Sequence, residues 1–143
     1  MTEFIGKVKI DETHYPGQDY YSDGVIEDRL LSIVETYPEE EYNTIINDSE
    51  DWAILYHLSH LRGNIVEWLP IEKDQTVLEI GAGCGAVTGV LSQKAAKVDC
   101  IDLSKKRSLI NATRNKERDN IVIKLGNFQD VEASLTEKYD WIT

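Results

Sequence analysis

TVLEIGAGCGAVTGVLSQKAAKVDCIDLS, residues 76–104, decides the fold. An apolar strand runs into glycines at alternate positions (Gly81, Gly83, Gly85); a helix follows, and a second apolar strand ends in an acid. The first strand also carries an acid near its end, Glu79, and Asp102 stands 21 residues after Gly81. Such a turn lets backbone approach a ligand closely, and a carboxylate at that distance pairs with ribose hydroxyls. The layout therefore suits a nucleoside-bearing ligand.

Working outward, Gln75 to Ile80 is the first core strand, Ala86 to Ala96 a helix and Lys97 to Ile101 the second strand. Ser104 caps a helix reaching about Arg118, with Leu109, Ile110 and Thr113 inward. Ile121 to Leu125 forms a third strand. A weaker helix (Val131 to Glu137) leads to a fourth, Tyr139 to Ile142. Upstream, Ile26, Leu30, Ile33 and Tyr37 keep helical spacing over 25–37, and Pro38 discourages continuation. A second helix is expected from about Ser49 to Leu69, with Trp52, Tyr56 and Trp68 as its packing face and Gly63 bending or interrupting it. Residues 1–23 mix alternation with turn residues, which predicts an edge strand or an irregular arm.

Strands alternating with helices, themselves nearly continuous in Val, Leu and Ile, imply a parallel sheet covered on both faces. The expected architecture is α/β: a doubly wound, Rossmann-like sheet showing its first four strands, with an N-terminal helical cap. Residues 1–70 would be arm and cap, and 71–143 the ligand-binding domain, cut within its fourth strand. The expected consequences are an unprotected sheet edge open to self-association, a partly uncovered apolar face, and a chain that is the N-terminal part of a longer protein.

Charge is unevenly spread. Of 26 acids, 15 precede Ile71, with only 4 of the 15 bases, so that half carries the whole net charge of −11. Nucleic acid is disfavoured as a partner, because phosphate binding wants a basic surface. No apolar run approaches the ~20 residues of a membrane span, and MTEFIGKVKIDE lacks a signal-peptide layout. Cytoplasmic residence is the expectation. Cys84 and Cys100 lack metal or disulfide spacing and are expected to be buried. His57 and His60, three apart with only His14 besides, do not make a metal site. Lys105, Lys106 and Arg107 are expected to face solvent, unless one of them neutralises Asp102.

Which nucleotide the turn holds is then a matter of neighbours. No Gly-Lys-Ser/Thr follows, which excludes a Walker loop. Gly81 to Ala86 does satisfy G-x-G-x-x-A, the dinucleotide fingerprint. Yet Glu79 would repel a pyrophosphate and attract an ammonium group. Gly85 allows a turn around something bulkier than phosphate, and Gly126-Asn127-Phe128 offers an amide and a ring to an adenine.

These residues resemble the class I S-adenosylmethionine-dependent methyltransferases, whose E/D-x-G-x-G-x-G turn is matched by Glu79-Ile80-Gly81-Ala82-Gly83-Cys84-Gly85. The resemblance covers about Asp48 onward, with its specificity in 79–103. It implies S-adenosyl-L-methionine as cofactor: the turn cups the methionine part and ribose, Asp102 binds the ribose hydroxyls, and Leu103 lies against the adenine. Asn127 and Phe128 stand where the family often has an acid followed by Phe or Ala. The stretch YHLSHLRGNIVEWLP (56–70) is similar to the lead-in helix of bacterial members, which offers Tyr56, Ser59 or Arg62 to the cofactor's carboxylate. The implied activity is methyl transfer to a small molecule, sugar or protein, with no catalytic base assigned. The NAD(P)-binding domain of an oxidoreductase and a non-catalytic interaction module are the alternatives.

Overall fold

In the computed structural model, which describes residues 1–143, strand alternation sets everything around the glycine turn. The chain opens with a hairpin, β1 (Thr2–Ile5) and β2 (Val8–His14), followed by helices α1 (Val25–Thr36), α2 (Tyr42–Ser49), α3 (Trp52–Leu58) and α4 (Asn64–Glu67). The α/β part comprises β3 (Thr76–Ile80), α5 (Ala86–Lys94), β4 (Lys97–Asp102), α6 (Lys105–Arg114), β5 (Ile121–Gly126), α7 (Phe128–Glu132) and β6 (Trp141–Ile142). One sheet results, in the order β1-β2-β5-β4-β3-β6, with only β1 antiparallel to its neighbour.

The four expected strands are present and parallel. The N-terminal arm is more than an edge strand: β2 pairs with β5 (Ile10 opposite Ile123, His14 opposite Gly126) and β1 closes that side. Six strands therefore replace four, and residues 2–14 share the sheet with 76–142.

Period-two alternation assigns the faces. Val77, Val98, Cys100, Ile121 and Ile123 join Val8, Ile10 and Leu91 in one buried cluster. On the other face, Leu78 and Ile101 pack with Val131 of α7. A third cluster belongs to the helical cap, where Leu30, Ile33, Val34, Tyr42, Ile54 and Leu58 meet Ile110 and Cys84. Both cysteines are buried and unpaired. Burial pushes the Cys84 thiol up to about 12 and Cys100 well above the usual thiol range, so both stay protonated.

The helix expected over 49–69 is interrupted at the expected Gly63 and, beyond that expectation, already at Ser59. Ser59 adopts an extended backbone, ends α3 and caps the short 3₁₀ turn His60–Gly63 by accepting from the Leu61 N–H. At Gly63 the chain lies so close to α5 that a Cβ would come within 2.6 Å of Val90 Cγ2. The expected packing face is also corrected. Trp52 and Trp68 are 70% and 74% exposed, whereas Ile54, Leu58 and Val66 are buried. Asp51 caps α3 through the Ala53 N–H, and that register turns positions 54 and 58 inward.

Candidate functional site

In register, the C-terminal ends of β3, β4 and β5 are level: Ile80 lies opposite Ile101, and Asp102 opposite Leu125. Because β4 and β6 flank β3 on opposite sides, the chain reverses sheet direction there, where open α/β sheets bind ligands. A recess of about 320 Å³ lies at this edge. Tyr21, Ile80, Gly81, Gly83, Asp102, Leu103, Ser104, Arg107, Gly126, Asn127 and Phe128 are among the residues lining it. A smaller recess of about 170 Å³ shares Gly81, Gly83 and Arg107 with it and is further lined by Glu79, Ala82, Cys84, Tyr56, His57 and Arg62. Of the nine expected site residues, Gly85 alone lines neither recess.

The glycines divide their work. Gly81, Gly83 and Gly85 all have positive φ (76°, 55° and 83°). A Cβ at Gly81 or Gly83 would meet no protein atom within 4 Å, so the missing side chains leave an open cradle. At Gly85 a Cβ would collide with Asn111 of α6. The third glycine thus serves the packing of the turn against α6 rather than ligand bulk.

The turn's amides are largely committed. Gly81 and Ala82 N–H donate to Ile101 O, Gly83 N–H to Asp102 Oδ2 at 2.7 Å, and Gly85 N–H to Ala82 O. A phosphate-binding loop instead aims its N–H groups at the ligand. Asp102 also takes the Ser104 N–H on Oδ1 at 2.9 Å. Each oxygen keeps lone-pair capacity toward the recess, since a carboxylate accepts about four bonds. Asp102 therefore ties the turn, while Ser104 caps α6 by accepting from the Arg107 N–H.

Glu79 sits beneath the turn, 5% exposed. Its Oε2 accepts from Thr88 Oγ1 at 2.5 Å and from Cys100 Sγ at 3.5 Å, whereas Oε1 has no protein partner and is not fully enclosed. Burial pushes its pKa up to about 7, against the lowering effect of the Thr88 and Cys100 hydrogen bonds; the Asp102 charge adds to the rise. Across the small recess, burial lowers the His57 pKa, and Arg107 and Arg62 act the same way, which leaves the imidazole neutral at pH 7. The Arg62 guanidinium stacks 4.1 Å over the Tyr56 ring. Tyr56 and Arg62 thus reach the recess, whereas Ser59 is occupied as a cap.

Lys105, Lys106 and Arg107 are corrected from solvent-facing to paired. Lys105 bridges Glu12 at 2.6 Å, Lys106 pairs with Asp28, and Arg107 binds Glu27 Oε1 at 2.7 Å and Asp23 at 2.6 Å. Four of the 15 acids that precede Ile71 are therefore paired at the α6 start. Asp19 accepts the Lys105 and Lys106 N–H groups there; burial alone would raise its pKa, but these bonds win and hold it low. Asn127 caps α7 by accepting from the Gln129 N–H at Oδ1, which leaves its amide N–H groups for the recess.

The profile of the protein-L-isoaspartate(D-aspartate) O-methyltransferase family matches residues 28–131, a span that takes in the turn, Asp102 and Asn127-Phe128. The chain belongs to this family. Its sequence is thereby one of the class I S-adenosylmethionine-dependent methyltransferases, a group whose cofactor is S-adenosylmethionine. A ribosomal RNA small subunit methyltransferase A of Syntrophus aciditrophicus is 32% identical over 79 residues, 55% of this chain and 25% of the relative. An rRNA adenine N-6-methyltransferase of Bacillus licheniformis is 42% identical over 69 residues, 48% of this chain and 24% of the relative. The chain spans about a quarter of the length of these curated relatives. Among solved structures, precorrin 8w decarboxylase of Methanobacterium thermoautotrophicum superposes with a TM-score of 0.52 at 19% identity, over 57% of this chain and 45% of that one. An rRNA methylase of Streptococcus thermophilus gives 0.50 at 15%, over 58% and 51%. At that identity the likeness is one of fold. No helix of this methyltransferase chain is long and apolar enough to cross a membrane.

Tyr21, Ile80, Ser104, Arg107 and His57 line the two recesses without having been expected there from the sequence. One signal was available for Arg107. Glu27 falls on the same stripe of α1 as Leu30 and Val34, and an acid on a buried stripe calls for a cation facing it.

Proposed function

We propose that this chain forms the donor side of a methyltransferase site, holding S-adenosylmethionine across the two recesses for transfer to a small-molecule, sugar or protein acceptor. The observation that carries this reading is a pair of carboxylates bracketing a side-chain-free cradle. Asp102 opens on the larger recess and Glu79 on the smaller. Asp102 would accept from the ribose hydroxyls, with Leu103 and Phe128 against the adenine and the Asn127 amide at its edge. Gly81, Ala82 and Gly83 would border the ribose and methionine chain. Glu79 Oε1 would accept from the ammonium, while Arg62 would face the carboxylate beside Tyr56. The committed turn amides favour such a ligand over a pyrophosphate.

Bound S-adenosylmethionine supplies a methyl group already activated on a sulfonium, so the chain has to bind and orient rather than activate. The glycine cradle lets backbone close on the ligand, and the ties from Asp102 to Gly83 and Ser104 keep that backbone fixed. Fixing both ends of the donor is worth several kcal/mol of barrier when the acceptor is held in line.

The acceptor reading rests on charge. Likeness to the relatives named for rRNA covers 79 residues or fewer, about a quarter of each relative's length, so it does not extend over most of either relative. The net −11 of the first 70 residues, from which Tyr21, Tyr56 and Arg62 reach the site, disfavours a polyanion.

A thermal-shift comparison tests the donor assignment. S-adenosylhomocysteine is expected to raise the melting temperature and NAD⁺ to leave it unchanged. A rise with NAD⁺ alone would revive the dinucleotide reading. A rise with neither would favour an interaction module.

A further inference from the structure

Beneath the glycine turn lies a buried polar chain that methyl transfer itself does not call on. Asn115 Nδ2 faces three oxygens: Asn111 Oδ1 at 2.9 Å, Asn111 O at 3.1 Å and Gly85 O at 3.4 Å. All three are acceptors, which fixes that atom as the amide nitrogen. Asn111 must then offer its oxygen to Asn115, and its Nδ2 donates to Thr88 Oγ1 at 3.0 Å. With its oxygen so occupied, Thr88 directs its single proton at Glu79 Oε2, 2.5 Å away. Every donor in the series points toward Glu79. Such a chain polarises along its length and favours a negative charge at its end.

We infer that Thr88 and Asn111 are positioning residues for donor recognition: the relay from α6 through α5 fixes Glu79 Oε2, so that Oε1 stays in the small recess to grip the ammonium end of the donor. The proposal rests on the donor reading above. Gly85 belongs to the same device, because its missing Cβ is the space Asn111 occupies.

Several features support it. Glu79 is buried on β3, where Oε2 has only the Thr88 hydroxyl and the weaker Cys100 thiol as partners. Cys100 and Asp102 of β4 face it from the neighbouring strand, and the facing part of β6 is uncharged. From α5 and α6 it meets the uncharged Thr88 and Asn111. Across the recess stand His57, Arg62 and Arg107. Burial and, less strongly, Asp102 push Glu79 up to about 7, and the Thr88 hydrogen bond opposes that rise more than the Cys100 thiol does. Removing that bond raises the pKa further, so grip on an ammonium group would begin at higher pH.

The experiment is calorimetric titration from pH 6 to 8.5 with two probes. S-adenosylhomocysteine carries the amino-acid end, and 5′-methylthioadenosine lacks it. Wild-type affinity for S-adenosylhomocysteine is expected to rise through about pH 7, while methylthioadenosine binding stays flat. Thr88→Val should shift the midpoint up by about one pH unit and weaken S-adenosylhomocysteine about fivefold at pH 7, where the ionised fraction falls from about a half to about a tenth. Methylthioadenosine should be unaffected, and Thr88→Ser should restore wild-type behaviour. Asn111→Asp turns the donor to Thr88 into an acceptor and should also move the midpoint upward. An unmoved midpoint in Thr88→Val, or equal weakening of both probes, would overturn the relay while leaving the donor reading standing. If wild type binds neither probe, the donor reading fails and the relay with it.

Discussion

Replacing the three turn glycines one at a time with alanine should separate two kinds of damage. At Gly85, a Cβ faces a φ of 83° and a collision with Asn111. Left-handed backbone costs an L-residue about 1–2 kcal/mol. Displacing Asn111 leaves buried amide groups short of partners, at about 1–3 kcal/mol more. The sum, about 3 kcal/mol, is a large share of an ordinary domain's stability. For 143 residues, an unfolding entropy of about 2.1 cal/mol/K per residue makes each kcal/mol worth ~3 °C, so Gly85→Ala should melt ~10 °C low. Gly81→Ala and Gly83→Ala incur only the backbone strain, ~3–6 °C, because nothing lies within 4 Å of the added carbon. Each instead fills the cradle and should weaken S-adenosylhomocysteine more than tenfold. Differential scanning calorimetry and titration calorimetry on the three variants give both readouts. A Gly85→Ala protein melting within 2 °C of wild type would refute the division of labour. So would cradle variants that bind like wild type.

Three further outcomes follow from buried charge and from the sheet edge. Glu79 has a folded pKa of about 7 against about 4.5 unfolded, so between those values the folded state holds the extra proton. Stability of the ligand-free protein therefore falls as pH rises through that window, by up to about 3 kcal/mol, and Glu79→Gln should flatten that part of a urea-melt series. Glu27→Ala leaves Arg107 with Asp23 alone and removes the acceptor for Ser22 Oγ; it should cost about 3 kcal/mol in the same melts, and an unchanged midpoint would show the pair to be dispensable. β6 is a two-residue edge with Ile142 66% exposed, so sedimentation velocity should show concentration-dependent association that Ile142→Lys suppresses; a monomer at all concentrations would contradict it.

The grouping of the expected site residues at one sheet edge was legible because its determinants are local. A strand, a turn and a strand-end acid are consecutive in sequence, and parallel register brings Glu79, Gly81, Gly83 and Asp102 to one edge without further information. Asn127 and Phe128 follow from the same rule on β5. The interruption of the 49–69 helix was legible at Gly63, but not its start at Ser59, nor that Gly63 is set by contact with Val90 of α5, which lies well ahead in the chain. Nor was the hairpin's place in the sheet: Val8 and Ile10 alternate as any strand would, but pairing beside β5 is a contact across more than a hundred residues. The role of Gly85 was misread for a related reason. Its φ is a local property, whereas its need for no side chain is set by Asn111, on a helix later in the chain.

One binding comparison asks directly whether Asp102 and the glycine cradle form the proposed donor site. Titration calorimetry with S-adenosylhomocysteine on wild type and Asp102→Ala should give clear binding to wild type. The variant should be at least a hundredfold weaker, since it loses bonds to both ribose hydroxyls and the carboxylate that fixes Gly83. Equal affinity in the two proteins, with both folded by circular dichroism, would contradict it.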